Sequence, residues 1–267
     1  MEFKNILCPF DGSVQSVVAL KSAVFFAKKF HAHLTVVHID ESKISNEEIK
    51  TALDLNTAGL EYSYLHKQGR PYKGIVEAAK ETDANAVIMG THGISGFEEF
   101  WMGSNAYKVV HMAHCPVLTM RENIHHNDFR NIVLPIDTSF ETRQKVPLAI
   151  DLAKKFDSTI HVIGVSVDHN HEAEHKILLY FHQIKKVIEE EGIKFSFERK
   201  LGGNITNVTI DYAKKVNADL IIIMTEQENL LSSIFLGKFA QQMVNHSTIP
   251  VFSVAPRSDL LRATAGY

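Results

Sequence analysis

NILCPFDGS, residues 5–13, returns as NIVLPIDTS at residues 131–139. The two runs stand 126 residues apart, and AKKF at Ala27–Phe30 recurs at the same interval as Ala153–Phe156. Further along the interval widens, since Gly69 and Gly203, Gly103 and Gly237, and Pro116 and Pro250 are each 134 apart. Landmarks that repeat in order over such a distance mark two copies of one unit. The second copy has gained 8 residues (134 less 126) before Gly203, and the charged run EHKILLYFHQIKKVIEEEG is where they are expected.

Within a copy, short apolar runs alternate with helical patterns. Asn5–Pro9 is a first strand, and Val17, Leu20, Val24 and Ala27 recur at helical spacing between Val14 and Phe30. HLTVVHID is a buried strand, followed by a helix around Asn46–Ala58, a strand at EYSYLH and a helix after GRPY. NAVIMG is a fourth strand, NAYKVVHMA a helix and PVLTM a last strand. Strands apolar on both faces and alternating with helices predict an α/β fold with a parallel sheet covered on each side. Two such five-stranded domains are expected in tandem. The polar stretch RENIHHNDFR joins them, with the boundary near Asn123–Asn127. The C-terminal RSDLLRATAGY fits either a loose tail or a short helix.

Composition narrows the function. Of 267 residues 45% are hydrophobic and 22% charged, and the net charge of -3 gives no basic footprint for nucleic acid. The longest apolar runs, such as LIIIM at Leu220–Met224, fall far short of a membrane span, and MEFKNILCPFDGS lacks the apolar core of a secretory signal. Cys8 and Cys115 have no metal-ligand spacing and read as reduced core thiols. A cytoplasmic protein that binds neither membrane nor nucleic acid is expected.

The stretch GTHGISGFEEFWMGSN, residues 90–105, directly follows a strand, where ligands of open parallel sheets bind. Gly90 and Gly93 would let backbone amides approach a phosphate, and Gly103, Ser104 and Asn105 would open a helix whose first-turn amides favour an anion. Glycine turns with Ser104 as a plain N-cap fit the same spacing. Asp11 fits a ribose ligand and a helix cap equally. The copies differ here: Gly90, Gly93 and Ser104 become Met224, Gln227 and Lys238, whereas Gly103 persists as Gly237. Glycines needed only by the fold should appear twice, so the difference points to a ligand in the first copy.

The pattern G-x2-G-x9-G-[ST] at Gly90, Gly93, Gly103 and Ser104, after IMGTHG and before HCPVL, resembles the ATP-binding motif of the universal stress proteins. Over residues 1–256 the chain looks like a tandem member of that family. The resemblance implies two Rossmann-like domains of the adenine nucleotide alpha hydrolase type, residues 1–122 with an intact motif and 128–257 with a degenerate one. It implies that Pro9, Phe10 and Asp11 meet adenine and ribose, and that the backbone of Ile39 holds the adenine edge. Met89, Gly90, His92, Gly93, Gly103, Ser104 and Asn105 would meet ribose and phosphates, with Mg2+ accompanying the triphosphate. The second copy keeps Asp137 and Val165 at the matching places.

The resemblance further implies that the halves pair through their last strands, PVLTM and PVFSV, and that two chains can associate. The expected role is an ATP-binding switch or sensor in the stress response, acting on a protein partner still to be identified. No catalytic residue or metal ligand is nominated. A slow ATPase or phosphotransferase using His92, Ser95 or Ser104, and a nucleotide-free scaffold, are the alternatives. His169, His171 and His175, and the pair His125 and His126, read as solvated loop rather than a zinc site.

Overall fold

The computed structural model describes residues 3–40, 46–57, 59–91, 103–121, 128–225 and 237–256. The first half runs β1 (Asn5–Pro9), α1 (Val14–Phe30), β2 (His33–Asp40), α2 (Asn46–Asn56), β3 (Tyr62–Gln68), α3 (Pro71–Glu81), β4 (Ala86–Gly90), α4 (Ser104–Met112) and β5 (Val117–Met120). The second runs β6 (Asn131–Ile136), a 3-10 turn (Glu141–Arg143), α5 (Val146–Phe156), β7 (Thr159–Ser166), α6 (His171–Glu190), β8 (Phe195–Leu201), α7 (Ile205–Lys215), β9 (Leu220–Met224), α8 (Lys238–His246) and β10 (Val251–Val254).

Local chemistry fixes the ends of these elements. Ser13 starts α1 by accepting a hydrogen bond from the amide of Ser16 at 3.1 Å, and His31 stops it in the left-handed conformation. Asp157 stops α5 in the same way, at φ 53°. Central strands bury both faces: every residue of β5 and β9 is buried, so only helix-covered sheet suits them.

All ten strands form one sheet in the order β3-β2-β1-β4-β5-β10-β9-β6-β7-β8. Strands are parallel within each half. At the centre β5 and β10 run antiparallel, with Val251 opposite Thr119 and Ser253 opposite Val117. This pairing covers the apolar edge that each half would otherwise expose.

A core lies on each face of the sheet and both cores draw on both halves. On one face Phe26 of α1 sits among Phe129, Phe156 and Phe252 of the second half, at ring separations of 5.3, 5.5 and 6.5 Å. Edge-on aromatic contacts of this kind add about 0.5–1.5 kcal/mol each beyond area burial.

The inserted residues divide unequally. Tyr62 pairs with Leu34 and Phe195 with Ile160, so β3 and β8 begin 133 apart, and seven extra residues precede β8. They are taken up around α6, which has 20 residues where α2 has 11. The eighth enters after β8, where Gly202 and Gly203, both left-handed, stand in place of Gly69 alone. The expectation that the charged helix holds the whole insertion is corrected by that one residue. The connector residues 122–127 and the tail 257–267 lie outside the described residues, as do Ser95 and the pair His125 and His126.

Candidate functional site

The carboxyl ends of β1, β2 and β4 bring the expected residues of the first half together. β1 ends at Pro9, and the amide of buried Phe10 donates to Val37 O at 2.9 Å. His38 Nδ1 lies 2.8 Å from Phe10 O; a carbonyl only accepts, so Nδ1 carries the proton. Asp11 Oδ1 accepts from the amide of Ser13 at 3.0 Å, a local turn that aims the carboxylate at the start of α1. Asp11 is therefore a turn former, and the N-cap is Ser13. Ile39 is buried against Gly74 of α3, so close that a Cβ on Gly74 would lie 2.7 Å from its side chain.

β4 ends in Met89 and Gly90. A Cβ on Gly90 would stand 2.8–3.0 Å from Gln15 side-chain and backbone atoms, so this glycine lets α1 close on the strand. Beyond it Thr91 N donates to Met120 O at 3.0 Å, and Gly103 N donates to Thr91 O at 2.9 Å. Gly103 is the N-cap of α4 and supplies no side-chain cap; Ser104 is the first helical residue rather than the cap. The amides of Ser104, Asn105 and Ala106 thus begin a helix with no intrahelical acceptor and no capping side chain, the geometry that receives anions. His92 and Gly93 lie outside the described residues, as does Gln227.

The second half repeats this frame and refills it. Gly237 opens α8 at φ -53°, ψ 142°, against -55°, 143° at Gly103. Gly237 N donates to Thr225 O, and Thr225 N to Val254 O, both at 2.9 Å. The helix-entry part of the cradle therefore survives in the copy expected to have lost it. What changes is the floor. Met224 is fully buried where Gly90 stands, and its helix starts late: α5 begins at Val146, although Val14 corresponds to Phe140. The 3-10 turn fills the gap. The exchange of Gly90 for Met224 thus follows helix packing, which qualifies the expectation that the glycine difference reports a ligand alone.

Two further exchanges were not read from the sequence. His38 corresponds to Gly164, and a Cβ there would lie 2.4 Å from Ile177 Cγ2, so an isoleucine of α6 occupies the space of the imidazole. Ala19 corresponds to Lys145, whose ammonium is fully buried and donates to Thr142 O at 2.7 Å and Thr142 Oγ1 at 3.1 Å. Burial pulls its pKa down to about 8, and the nearby Asp137 carboxylate opposes the shift. Asp137 Oδ1 keeps the turn seen at Asp11 by accepting from Ser139 N at 2.8 Å.

Nucleophiles are not on offer among the described cysteines. Cys8 and Cys115 are buried thiols whose pKa burial raises, that of Cys115 to about 12. Among the described residues no three of His, Cys, Asp and Glu come together as a metal site. His169 sets its ring against Gly202, and His171 and His175 stand in the first turns of α6 rather than in the loop expected of them, because Asn170 caps a helix there. No described helix is long and apolar enough to cross a membrane.

A repeated five-stranded α/β unit with an open helix entry beyond its fourth strand defines a Rossmann-like class of folds, and sequence comparison gives the family. The Universal stress protein family matches residues 2–63, 42–121 and 128–255, and the chain belongs to that family. Universal stress protein YxiE of Bacillus subtilis is 29% identical over 147 residues, covering 45% of this chain and 99% of that protein. Universal stress protein MJ0531 of Methanocaldococcus jannaschii is 30% identical over 141 residues, 45% of this chain and 83% of its own. Each relative thus matches about one half. A universal stress protein from Archaeoglobus fulgidus shares the fold over 96% of this chain and 98% of its own, with TM-score 0.72 at 20% identity.

Proposed function

We propose that the first half, residues 1–122, binds ATP and that occupancy changes the surface the chain offers to a protein partner in the cytoplasmic stress response. The second unit, residues 128–257, shares the frame without the same pocket. The observation that carries this reading is the uncapped entry of α4 at Gly103 beyond the paired strands β1 and β4, where the strand ends in Gly90 and the second half has buried Met224 in its place. Backbone amides at Ser104 and Asn105 suit the phosphates, Asp11 the ribose, and the strand ends that carry Phe10, Ile39 and Met89 the base. His92 and Gly93 would complete the phosphate loop. Mg2+ would arrive on the triphosphate itself. A site whose described residues pair no nucleophile with a base fits a switch better than a fast catalyst.

Calorimetric titration of the full chain with ATP tests the proposal. Asp11→Asn should weaken binding about tenfold, the scale of one lost charge-assisted hydrogen bond. Asp137→Asn, which disturbs the same turn in the other half, should leave ATP affinity unchanged. A parent chain that takes up no ATP overturns the reading, and so does equal loss in both variants.

A further inference from the structure

α3 opens with Arg70 at its N-cap and Tyr72 and Lys73 in its first turn. Lys108 of α4 reaches across to them, its Nζ 4.5 Å from the centre of the Tyr72 ring. The Arg70 guanidinium lowers the pKa of the Tyr72 phenol; burial opposes this, and the charges of Lys73 and Lys108 add to it. Three cations therefore surround the Tyr72 side chain, Lys108 over its ring and Arg70 and Lys73 beside it in sequence. Among the described residues none of the three lies within ion-pair distance of a carboxylate.

Such a group is unfavourable on its own. The cations repel one another, and Arg70 and Lys73 sit at the end of a helix whose dipole favours negative charge. The second half demonstrates that the fold does not require it. At an interval of 134 the same places hold Asn204, Thr206, Asn207 and Gln242, all neutral. Asn204 caps α7 by accepting from Thr206 N and Asn207 N at 2.9 and 3.1 Å, and Thr206 Oγ1 donates to Gln242 Oε1 at 2.8 Å. Arg70 makes no such cap. The first half thus forgoes a cap worth about 1 kcal/mol in favour of positive charge.

Location gives that charge a target. Lys108 follows Ser104 by four residues on α4, so the two share a helix face, and long helical side chains lean toward the N-terminus. α3 packs against α4, so the cation group lies along the face of α4 that also carries Ser104 at the helix entry.

We propose that Arg70, Tyr72, Lys73 and Lys108 receive the outer phosphates of the nucleotide in the first half, so that this half selects polyphosphate over monophosphate nucleotides. The inference rests on the reading of that half as an adenine nucleotide site. Three cations and a phenol hydroxyl match two or three phosphate groups in charge and in hydrogen-bond donors.

The test grafts the second half's residues into the first: Arg70→Asn, Tyr72→Thr, Lys73→Asn and Lys108→Gln together. The same side chains already pack at the equivalent place, and the exposed single change Lys108→Gln serves as a milder version of the graft. Parent and variants, as full chains, are titrated with ATP, ADP, AMP and inorganic tripolyphosphate. In the parent ATP should bind at least about tenfold more tightly than AMP, a difference of about 1.4 kcal/mol. In the fourfold variant ATP should fall to the level of AMP while AMP affinity stays constant, and Lys108→Gln should move the same ratio part of the way. Equal affinities for ATP and AMP in the parent, or a ratio unchanged in both variants, overturn the proposal. A parent that takes up no nucleotide removes the adenine reading, and tripolyphosphate then decides separately. Binding that disappears in the graft keeps the cluster as a polyphosphate site, and any other result removes it too.

Discussion

The entries of α4 and α8 follow the same backbone path to within a few degrees, yet several of the residues packed in the two halves have been exchanged. Where the first half places Gly90, His38 and Ala19, the second places Met224, Gly164 and Lys145. Two of these exchanges come with a compensating partner. Gly90 admits Gln15, and Gly164 admits Ile177. A backbone frame thus outlives its contents, because the sheet register and main-chain bonds that hold Gly103 and Gly237 do not depend on the side chains that fill the pocket.

The contrast can be broken most severely at the ring cluster that both halves share. Phe26→Ala should cost about 3–5 kcal/mol by urea denaturation, the range for a fully buried aromatic side chain. One cooperative transition is expected in the parent. Two separate transitions there would mean that the halves melt independently and that Phe26 does not join them.

Lys145 offers an effect of nearly the same size, and its sign depends on pH. The folded pKa of about 8 lies below the ordinary 10.5, so the unfolded chain binds the extra proton between those values. The contribution of Lys145 to stability therefore rises as pH increases through that window, and its cost is full below about pH 8. Lys145→Met should consequently gain on the parent at neutral pH. That advantage should shrink by on the order of 3 kcal/mol as pH approaches 10.5. A difference that does not vary with pH would show that the ammonium is not held as buried as its contacts indicate.

Gly90→Ala sharpens the comparison at the strand end. The new methyl would meet Gln15 at under 3 Å, and the strain should destabilise by about 1–3 kcal/mol even without nucleotide. A loss confined to the nucleotide-bound protein would return this glycine to the ligand. The smallest effect is expected at the helix caps. Asn204→Ala should cost about 1 kcal/mol and Arg70→Asn should gain up to a similar amount, both read from thermal melts. Arg70→Asn that destabilises the chain would contradict the account of Arg70 as a residue kept for charge.

The alternation of strands and helices was legible because it is written in local periodicity and written twice. Helix α1 and strand β2 fall at the bounds that spacing predicts, Val14–Phe30 and His33–Asp40. The helix entry at Gly103 was legible from its spacing, but the identity of the N-cap was not, since a serine beside a glycine fits either position. Gly90 was legible as a glycine and not as a contact. Its reason is Gln15, distant in sequence, and only the approach of α1 to β4 reveals it. The cation group escaped for the same cause: Arg70 and Lys108 belong to different helices, and their meeting at Tyr72 is a fact of packing. The 134-residue interval did hold a clue, in the change from three charges to none.

One consequence follows from the antiparallel seam of β5 and β10. Since the five strands of each half point the same way and the halves point against each other, the two mouths open on opposite rims of the molecule. A guest seated in one cannot touch a guest seated in the other, and each rim is free to drift in its own chemistry without spoiling its twin.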